Sequence, residues 1–305
     1  MRTETPYTPE DFQYVLENQA PDDRSYARSP LQNLKQSFRA NPMAKAALFL
    51  LLLLLLSALL APLSPYDPYE LDPQNKLALP SAQHPFGTDD MGRDYLTRAL
   101  YGGRVSLVVG LFSVCISTTV GTLYGTVSGY IGGRVDIYMM RLIDIVVSVP
   151  GFLLIVVINT FFTPSILTLV LVIGMFTWQG VARITRAETL SLKKRDFVLA
   201  ARALGVGHLR IIVRHIVPNL VNQILVAASV SVANAIMLES SLSFLGYGIS
   251  VPMASWGGML QNAQTYILDR PLMAVFPGIF ILLTILSLNI LSDMLRDALN
   301  PKLNQ

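Results

Sequence analysis

Residues 44–63 read AKAALFLLLLLLLSALLAPL, and this stretch decides the class of fold because it is long and apolar enough to cross a membrane. It contains the unbroken leucine run Leu50–Leu56, and about 20 apolar residues in a helix span the hydrocarbon core of a bilayer. A cleaved signal peptide explains it less well, because a polar, proline-containing tail precedes it and no clear small-residue cleavage site follows. We therefore predict a first transmembrane helix at 44–63.

The composition of the whole chain also indicates a membrane protein. Of its 305 residues, 52% are hydrophobic and 14% are charged, whereas about 25% of a soluble domain is charged. Lys and Arg alternate with long apolar blocks instead of forming one basic surface, so the expected surroundings are a lipid bilayer and not nucleic acid. The one cysteine, Cys115, excludes a disulfide within the chain.

Five further apolar stretches follow the first. Their Gly, Ser, Thr and Asn residues are typical of membrane helices that pack on each other or line a path. A short turn around Phe162 and Pro164 joins two of them. The sequence therefore predicts an all-α integral membrane protein with about six transmembrane helices. The further predicted spans are 104–127, 136–160, 164–182, 219–245 and 273–293.

The distribution of Lys and Arg predicts the orientation of the spans. With the N-terminus in the cytoplasm, only Lys76, Arg93, Arg98, Arg104 and Arg270 of the 23 basic residues fall outside, as the positive-inside rule requires. Both termini are therefore expected in the cytoplasm. The predicted segments are a cytoplasmic tail at 1–43, an extracytoplasmic loop at 64–103, a core at 104–293 with a cytoplasmic loop at 183–219 and an extracytoplasmic segment at 246–272, and a cytoplasmic tail at 294–305.

The predicted loop 183–219 is too long for a turn and too apolar for a flexible linker. A helix is expected from Asp196 to Leu204, because Phe197, Ala200, Ala201 and Leu204 recur at helical spacing. Gly205 and Gly207 end it, and an amphipathic stretch follows from His208. One side of that stretch is predicted to carry Leu209, Ile212, Val213 and Ile216, opposite Arg210 and Arg214.

Two short helices joined by a bend permit two explanations. They could insert into a groove on another protein, or they could lie on anionic lipid. The physical pattern alone favours neither explanation.

Motifs along the chain carry a resemblance that separates the two. The run Ala200–Gly205 (AARALG), followed after nine residues by His215–Pro218 (HIVP), resembles the cytoplasmic loop of ABC importer permeases. Together the motifs are similar to the C-type permease subunit of the oligopeptide, dipeptide and nickel importer family. The other matching stretches are HPFGTDDMGRD (84–94), GRVSL (103–107), GYIGG (129–133), SLSFLG (241–246) and RDALNP (296–301).

The resemblance implies a fold like that of type I ABC importer permeases and a loop that docks into an ATPase subunit. It also implies a homologous second permease, two ATPase subunits holding ATP and Mg²⁺, and an extracytoplasmic substrate-binding protein, in a bacterial cytoplasmic membrane. Peptides are the first expected substrate, with nickel complexes, glutathione or another small solute as alternatives. Leu199 stands where the family often has Glu. The implied coupling residues are Phe197, Ala200, Ala201, Arg202, Ala203, Leu204, Gly205, His215 and Pro218.

Several polar residues within or near the spans allow more than one role. Asp144 is expected either to pair with Arg141 on the same helix or to face a water-filled path, because an unpaired charge in a membrane is costly. Glu239 is expected to be structural or to line that path. The candidate path residues are Asp144, Asn234, Glu239, Ser240 and Ser243.

Three further features suggest structural roles. Gly121, Gly125 and Gly129 recur every four residues and predict close helix packing, with a hinge as the alternative. The segment around His84 and Asp89 predicts a turn with Thr88 or Asp89 capping the next helix, in preference to a metal site. The stretch WGGML from Trp256 predicts a short helix folded partly against the membrane surface, because Trp prefers that boundary.

Nothing in the sequence predicts catalysis, a cofactor or a metal on this chain. No lysine is followed by Ser or Thr, so the phosphate-binding motif GxxxxGK[ST] is absent. A secondary transporter driven by an ion gradient is disfavoured, because no inverted repeat is evident and few carboxylates lie in the spans. A structural or signalling scaffold would leave the loop 183–219 without a purpose.

Overall fold

The computed structural model describes residues 30–249 and 251–299. Within these ranges the chain is helical and contains no named β-strand, which confirms the all-α prediction. The helices are α1 (Pro30–Ala40), α2 (Pro42–Leu59), α3 (Tyr95–Ile131), α4 (Gly133–Ser148), α5 (Gly151–Asn159), α6 (Ile166–Phe176), α7 (Gln179–Leu192), α8 (Asp196–Ala203), α9 (His208–Phe244), α10 (Trp256–Ala263) and α11 (Leu272–Leu299), with short 3₁₀ turns at Ala61–Leu63, Pro73–Asn75 and Gln264–Tyr266.

Four helices, α2, α3, α9 and α11, are each long and apolar enough to cross a membrane. Two bent pairs also qualify when each is taken as one span: α4 with α5, bent by 76°, and α6 with α7, bent by 41°. The described part of the chain therefore has four to six candidate spans, in agreement with the predicted number.

Helix α3 is the central element, and α7 packs along it. A Cβ atom placed on Gly121 would lie 2.6 Å from the carbonyl oxygen of Trp178, and one on Gly129 would lie 2.8 Å from that of Arg186. Side chains larger than hydrogen would force the two backbones apart at these positions. The predicted close packing at the glycine stripe is therefore confirmed.

The start of α3 differs from the sequence prediction. Helix α3 begins at Tyr95 instead of residue 104, because the carboxylate of Asp94 accepts a hydrogen bond from the backbone amide of Thr97 at 2.7 Å and caps the helix. Thr88 and Asp89, the predicted caps, bond elsewhere. The first turns of α3 contain polar residues, so no apolar run in the sequence marks where the helix begins.

The third and fourth predicted spans are bent, and the fourth is longer than expected. The third breaks at Val149 and Pro150, where Val149 is extended, because the ring of a proline disfavours the helical conformation of the preceding residue. Helix α7 continues to Leu192, well into the predicted loop 183–219. Its Ser, Thr, Glu and Arg residues made this helical part look like a loop.

The N-terminal side of the described chain contains a helix that the sequence analysis did not predict. Helix α1 lies within the predicted tail 1–43 and packs against α11. The amide oxygen of Asn41 then accepts from the backbone amide of Ala44 at 3.1 Å, and Pro42 takes the first position of α2. A cap residue followed by proline is a typical helix start.

Candidate functional site

The short helix α8 lies at one end of the molecule. Its inner residues Val198 and Ala201 are buried against Ile211 and Ile216 of α9. Tyr130, near the end of α3, belongs to the same cluster. Tyr95 lies at the other end of α3, about 52 Å away at 1.5 Å per residue. We call these two parts of the molecule the α8 end and the α10 end, because α10 packs around Tyr95.

The outer side of α8 is exposed and partly apolar. Phe197 and Leu199 are exposed, and the side chain of Leu204 is 83% exposed. The predicted helix is confirmed, but its predicted apolar face is only partly right. Ala201 turns inward with Val198, whereas Phe197, Ala200 and Leu204 stay outside.

The bend after α8 is built from backbone geometry. Gly205 has φ of +74°, a conformation that favours glycine. The amide of Gly205 donates to the carbonyl of Arg202, and the amide of Val206 donates to that of Ala201, both at 3.1 Å. These bonds satisfy carbonyl groups at the end of the helix, so the bend is well defined.

An aromatic side chain connects this bend to the end of α3. The hydroxyl of Tyr130 lies 3.0 Å from Nδ1 of His208, and the guanidinium carbon of Arg202 lies 5.2 Å from the centre of the same ring. Lys193 donates from Nζ to the carbonyl of Gly129 at 2.8 Å. The sequence analysis missed these contacts, because the motif GYIGG lies far from α8 along the chain.

The amphipathic stretch after the bend has a different buried side from the one predicted. Ile212 and Ile216 are buried as expected, but Leu209 is 75% exposed and Val213 is also exposed, while Ile211 is buried instead. The backbone from Ile212 to Ile216 is a π-helix, whose hydrogen bonds span one residue more than those of an α-helix. This wider turn changes which residues share a side. Of the predicted coupling residues near it, His215 is half-buried and Pro218 is exposed.

A cavity of about 630 Å³ lies between α7, α9 and α11. Asn234, a predicted path residue, lines it, whereas Asp144, Glu239, Ser240 and Ser243 do not. Its polar and charged lining residues are Thr177, Glu188, Asn222, Gln223, Ser231, Asn234 and Arg296.

Glu239 occupies a closed polar cluster outside that cavity. Its side chain is fully buried and accepts hydrogen bonds from the hydroxyls of Ser106 at 2.8 Å and Ser243 at 2.7 Å, with Ser240 at 3.4 Å. This carboxylate therefore joins α9 to α3 in the present conformation. Its predicted role in the path stays a prediction.

Two ion pairs join α4 to α7. Asp144 pairs with Arg183, whose Nη2 lies 3.0 Å from the carboxylate oxygen, so the predicted pairing with Arg141 is wrong. Asp136 receives two bonds from Arg186, at 2.5 and 2.6 Å, and a third from the hydroxyl of Ser128 at 2.6 Å. The spacing along one helix indicates only neighbours within that helix, whereas the partners of both aspartates lie on α7.

At the α10 end, Trp256 is buried inside the protein. Its side chain is 2% exposed, its indole nitrogen donates to the carbonyl of Ala99 at 2.9 Å, and its ring stacks on Phe280. Gly103 makes this possible, because a Cβ atom there would lie 2.8 Å from the indole ring. The predicted short helix is confirmed by α10, but the burial of its tryptophan was not predicted, because the glycine and the tryptophan are far apart in sequence.

The segment before α3 is held by ionic contacts. His84 Nδ1 lies 2.9 Å from the carboxylate of Asp94. The carboxylate of Asp89, which is fully buried, lies 2.7 Å from Nε of Arg93 and 3.2 Å from Nε of Arg98. His84 and Asp89 therefore have separate partners. Within residues 30–249 and 251–299, no cluster of three or more His, Cys, Asp or Glu residues is arranged to hold a metal ion.

Comparison with known proteins identifies the family. Residues 121–305 match the model of a family described as the inner membrane component of binding-protein-dependent transport systems. Residues 29–81 match the N-terminal transmembrane domain of oligopeptide transport permease C. Both matches agree with the resemblance carried by the motifs.

Curated relatives align with this chain over 72–96% of its length. The oligopeptide transport system permease protein of Haemophilus influenzae is 39% identical over 295 residues, which are 96% of this chain and 95% of the relative. The dipeptide transport system permease protein of Alkalihalophilus pseudofirmus is 38% identical over 284 residues, 93% of each chain. The oligopeptide transport system permease protein of Escherichia coli K12 is 41% identical over 219 residues, 72% of each chain. With helices long and apolar enough to cross a membrane, a family match over more than half of its length and a relative 39% identical over 96% of it, this chain belongs to the family of binding-protein-dependent transport system inner membrane components.

Proposed function

We propose that this chain is a permease subunit of an ATP-driven importer that moves short peptides across a bacterial cytoplasmic membrane. The family match supports transport that depends on a binding protein. The names of the relatives, which include oligopeptide and dipeptide transport permeases, support peptides as the substrate. The observation that carries the proposal is the surface of α8, which is exposed and apolar outside and anchored to α3 and α9 inside.

In this proposal the α8 end lies in the cytoplasm together with both termini. The excess of Lys and Arg in the segments at that end supports the orientation. Two ATPase subunits with ATP and Mg²⁺ would bind there, because the chain has no GxxxxGK[ST] motif of its own. A second, homologous permease and an extracytoplasmic binding protein, received around residues 246–272, complete the assembly.

The coupling surface consists of the predicted residues at the bend. A helix with exposed apolar residues suits insertion into a groove of a partner, and its buried side transmits force to the membrane helices. Movement of the ATPase subunits would thereby reach this chain without any chemistry on it. The coupling residues are Phe197, Ala200, Ala201, Arg202, Ala203, Leu204, Gly205, His215 and Pro218.

The cavity between α7, α9 and α11 is proposed as the contribution of this chain to the substrate path. Asn234 already lines it in the present conformation. Asp144, Glu239, Ser240 and Ser243 would contribute only in a conformation in which their present bonds are broken.

Leu204 is the best position at which to test the coupling surface. Ala201 packs in the buried cluster, and Gly205 has a positive φ, so larger residues there would also disturb folding. Leu204→Glu changes only an exposed side chain. We expect it to lower co-purification of the ATPase subunits, or peptide uptake per ATP hydrolysed, by about tenfold, as for the loss of a buried apolar anchor.

The matched control is Leu79→Glu, because Leu79 is 62% exposed and lies between α2 and α3, outside both the coupling residues and residues 246–272. It should bind the ATPase subunits as the unchanged chain does. If Leu204→Glu assembles and takes up peptide normally, α8 is not the coupling surface.

A further inference from the structure

The cavity wall formed by α9 carries side-chain amides at both ends. Gln223 and Asn234 are eleven residues apart, which is close to three helical turns, so they lie on one side of the helix about 16 Å apart. Ala227 and Ser231 lie between them on that side. We call Gln223, Ala227, Ser231 and Asn234 the amide row.

These amides are unpaired in the described structure. The Oε1 atom of Gln223 is buried without a hydrogen-bond partner. Within residues 30–249 and 251–299, Asn234 likewise makes no hydrogen bond with its side chain, and neither does Asn222, which lines the cavity beside the row. A buried polar atom is normally paired, so the oxygen of Gln223 lacks a partner that it would ordinarily have, whereas the amide of Asn234 is exposed. Both amides line the cavity and are free for a ligand that both donates and accepts.

Apart from its amides, the lining contains two hydroxyls that are already hydrogen-bonded, two charged residues and an apolar remainder. Thr177 and Ser231 donate back to carbonyls of their own helices at 2.8 Å. Glu188 and Arg296 are the charged members of the described lining, and they lie on α7 and α11, not on the row. Apart from the row and Asn222, the α9 residues of the wall are apolar: Val226, Val230, Ala235 and Leu238.

We propose that the amide row exchanges hydrogen bonds with the backbone of an extended peptide in the cavity. A carboxamide has both donors and an acceptor, and every peptide group except one at proline offers an N–H and a C=O whatever the side chain. At about 3.4 Å per extended residue, 16 Å corresponds to about five residues. This inference rests on the proposed transport function and adds how the path holds peptides of differing sequence.

Another occupant of the same wall is a helix of the second permease. The backbone of such a helix is already hydrogen-bonded within itself, so the row would then pair with polar side chains of the partner. That arrangement predicts a failure of assembly, and not a change in substrate preference, when the amides are removed.

The test compares Gln223→Leu/Asn234→Leu with the unchanged chain in the complete importer, reconstituted in liposomes with its ATPase subunits and binding protein. The probes are an alanine pentapeptide and the same peptide with two N-methylated amides, which lack N–H donors. Both are supplied at concentrations that saturate the binding protein, with the two affinities measured separately. Uptake is expressed per ATP hydrolysed.

The unchanged chain should take up the N-methylated peptide about 25-fold less well, at roughly a fivefold loss for each of two hydrogen bonds. The double variant should take up the unmodified peptide about 25-fold less well for the same reason, and its ratio between the two peptides should approach one. The control Asn289→Leu, at an exposed carboxamide of α11 outside the cavity lining, should retain the original ratio.

Two results overturn the inference while leaving the proposed function intact. One is an equal uptake of both peptides by the unchanged chain, or an unchanged ratio in the double variant. The other is loss of the second permease from the purified double variant, which would show that the amides hold the partner. If the unchanged importer moves neither peptide while its binding protein is saturated, peptide transport itself is wrong, and the inference is wrong with it.

Discussion

Replacing Gly125 by alanine tests the packing of α3 on α7. A Cβ atom at this position would lie 2.2 Å from the carbonyl oxygen of Ala182 and 2.2 Å from Oγ1 of Thr185. Because the carbonyl of Ala182 belongs to the backbone of α7, it cannot rotate away from an added Cβ, so α3 and α7 would have to separate. The hydroxyl of Thr185 lies 3.2 Å from the carbonyl of Gly121 and 3.0 Å from that of Val181, so it keeps an acceptor in its own helix when the helices separate.

The size of the effect follows from two contributions. Overpacking costs about 1–3 kcal/mol, and the upper figure applies because two atoms lie 2.2 Å from the added Cβ. Alanine in place of glycine returns about 1 kcal/mol through helix propensity. Gly125→Ala should therefore destabilise the protein by about 2 kcal/mol, which lowers the Tm of a chain of this size by about 3 °C.

The assay is thermal unfolding of the purified chain in detergent, followed by the fluorescence of its two tryptophans, one of which, Trp178, packs beside the stripe. Gly278→Ala on α11 is the matched control, because no atom lies within 4 Å of its added Cβ. It should match or exceed the original Tm. Equal Tm values for Gly125→Ala and Gly278→Ala would refute close packing at this part of the stripe.

Three further outcomes follow from the ion pairs, from the contact between Gly103 and Trp256, and from the buried carboxylate of Glu239. Asp136→Ala should lower stability by about 2 kcal/mol because three charge-assisted bonds are lost, whereas Asp144→Ala should cost below about 1 kcal/mol because its pair is half exposed; thermal unfolding compares them, and equal losses would contradict this ranking. Gly103→Ala should displace the ring of Trp256 and shift its fluorescence to longer wavelength; an unchanged spectrum would contradict the contact. Glu239→Leu should lower stability by about 2 kcal/mol because buried hydroxyls lose their acceptor, and Glu239→Gln should cost less.

The features that the sequence predicted correctly depend on local patterns. The stretch 44–63 predicts a membrane helix because the thickness of a bilayer sets its length, and α2 occupies most of it. Glycines four apart lie on one side of a helix, so the stripe predicts a close neighbour without identifying it. The helix that begins at Asp196 was also predicted from a local pattern, because its apolar residues recur at helical spacing and a glycine follows.

The features that the sequence did not predict depend on contacts between distant segments. Asp144 had an arginine three residues away, yet it pairs with Arg183 on α7, because the tertiary packing of α4 on α7 decides the partner. The burial of Trp256 depends on space beside Gly103. A role for the amide of Gln223 was not predicted, because an isolated glutamine in an apolar helix has no distinctive spacing.

The contacts around α8 decide where a movement of this helix would be transmitted. Its buried side packs on the beginning of α9, whereas α7 is held to α3 by the glycine stripe and to α4 by the bonds between Asp136 and Arg186. Near the α10 end, Glu239 joins α9 to α3 through Ser106. A force on α8 would therefore tilt α9 about this attachment more easily than it would separate α7 from α3. Because the cavity lies between α7 and α9, such a tilt changes its width at the α8 end, and the π-helical turn at Ile212–Ile216 is the place where α9 can adjust its hydrogen bonds.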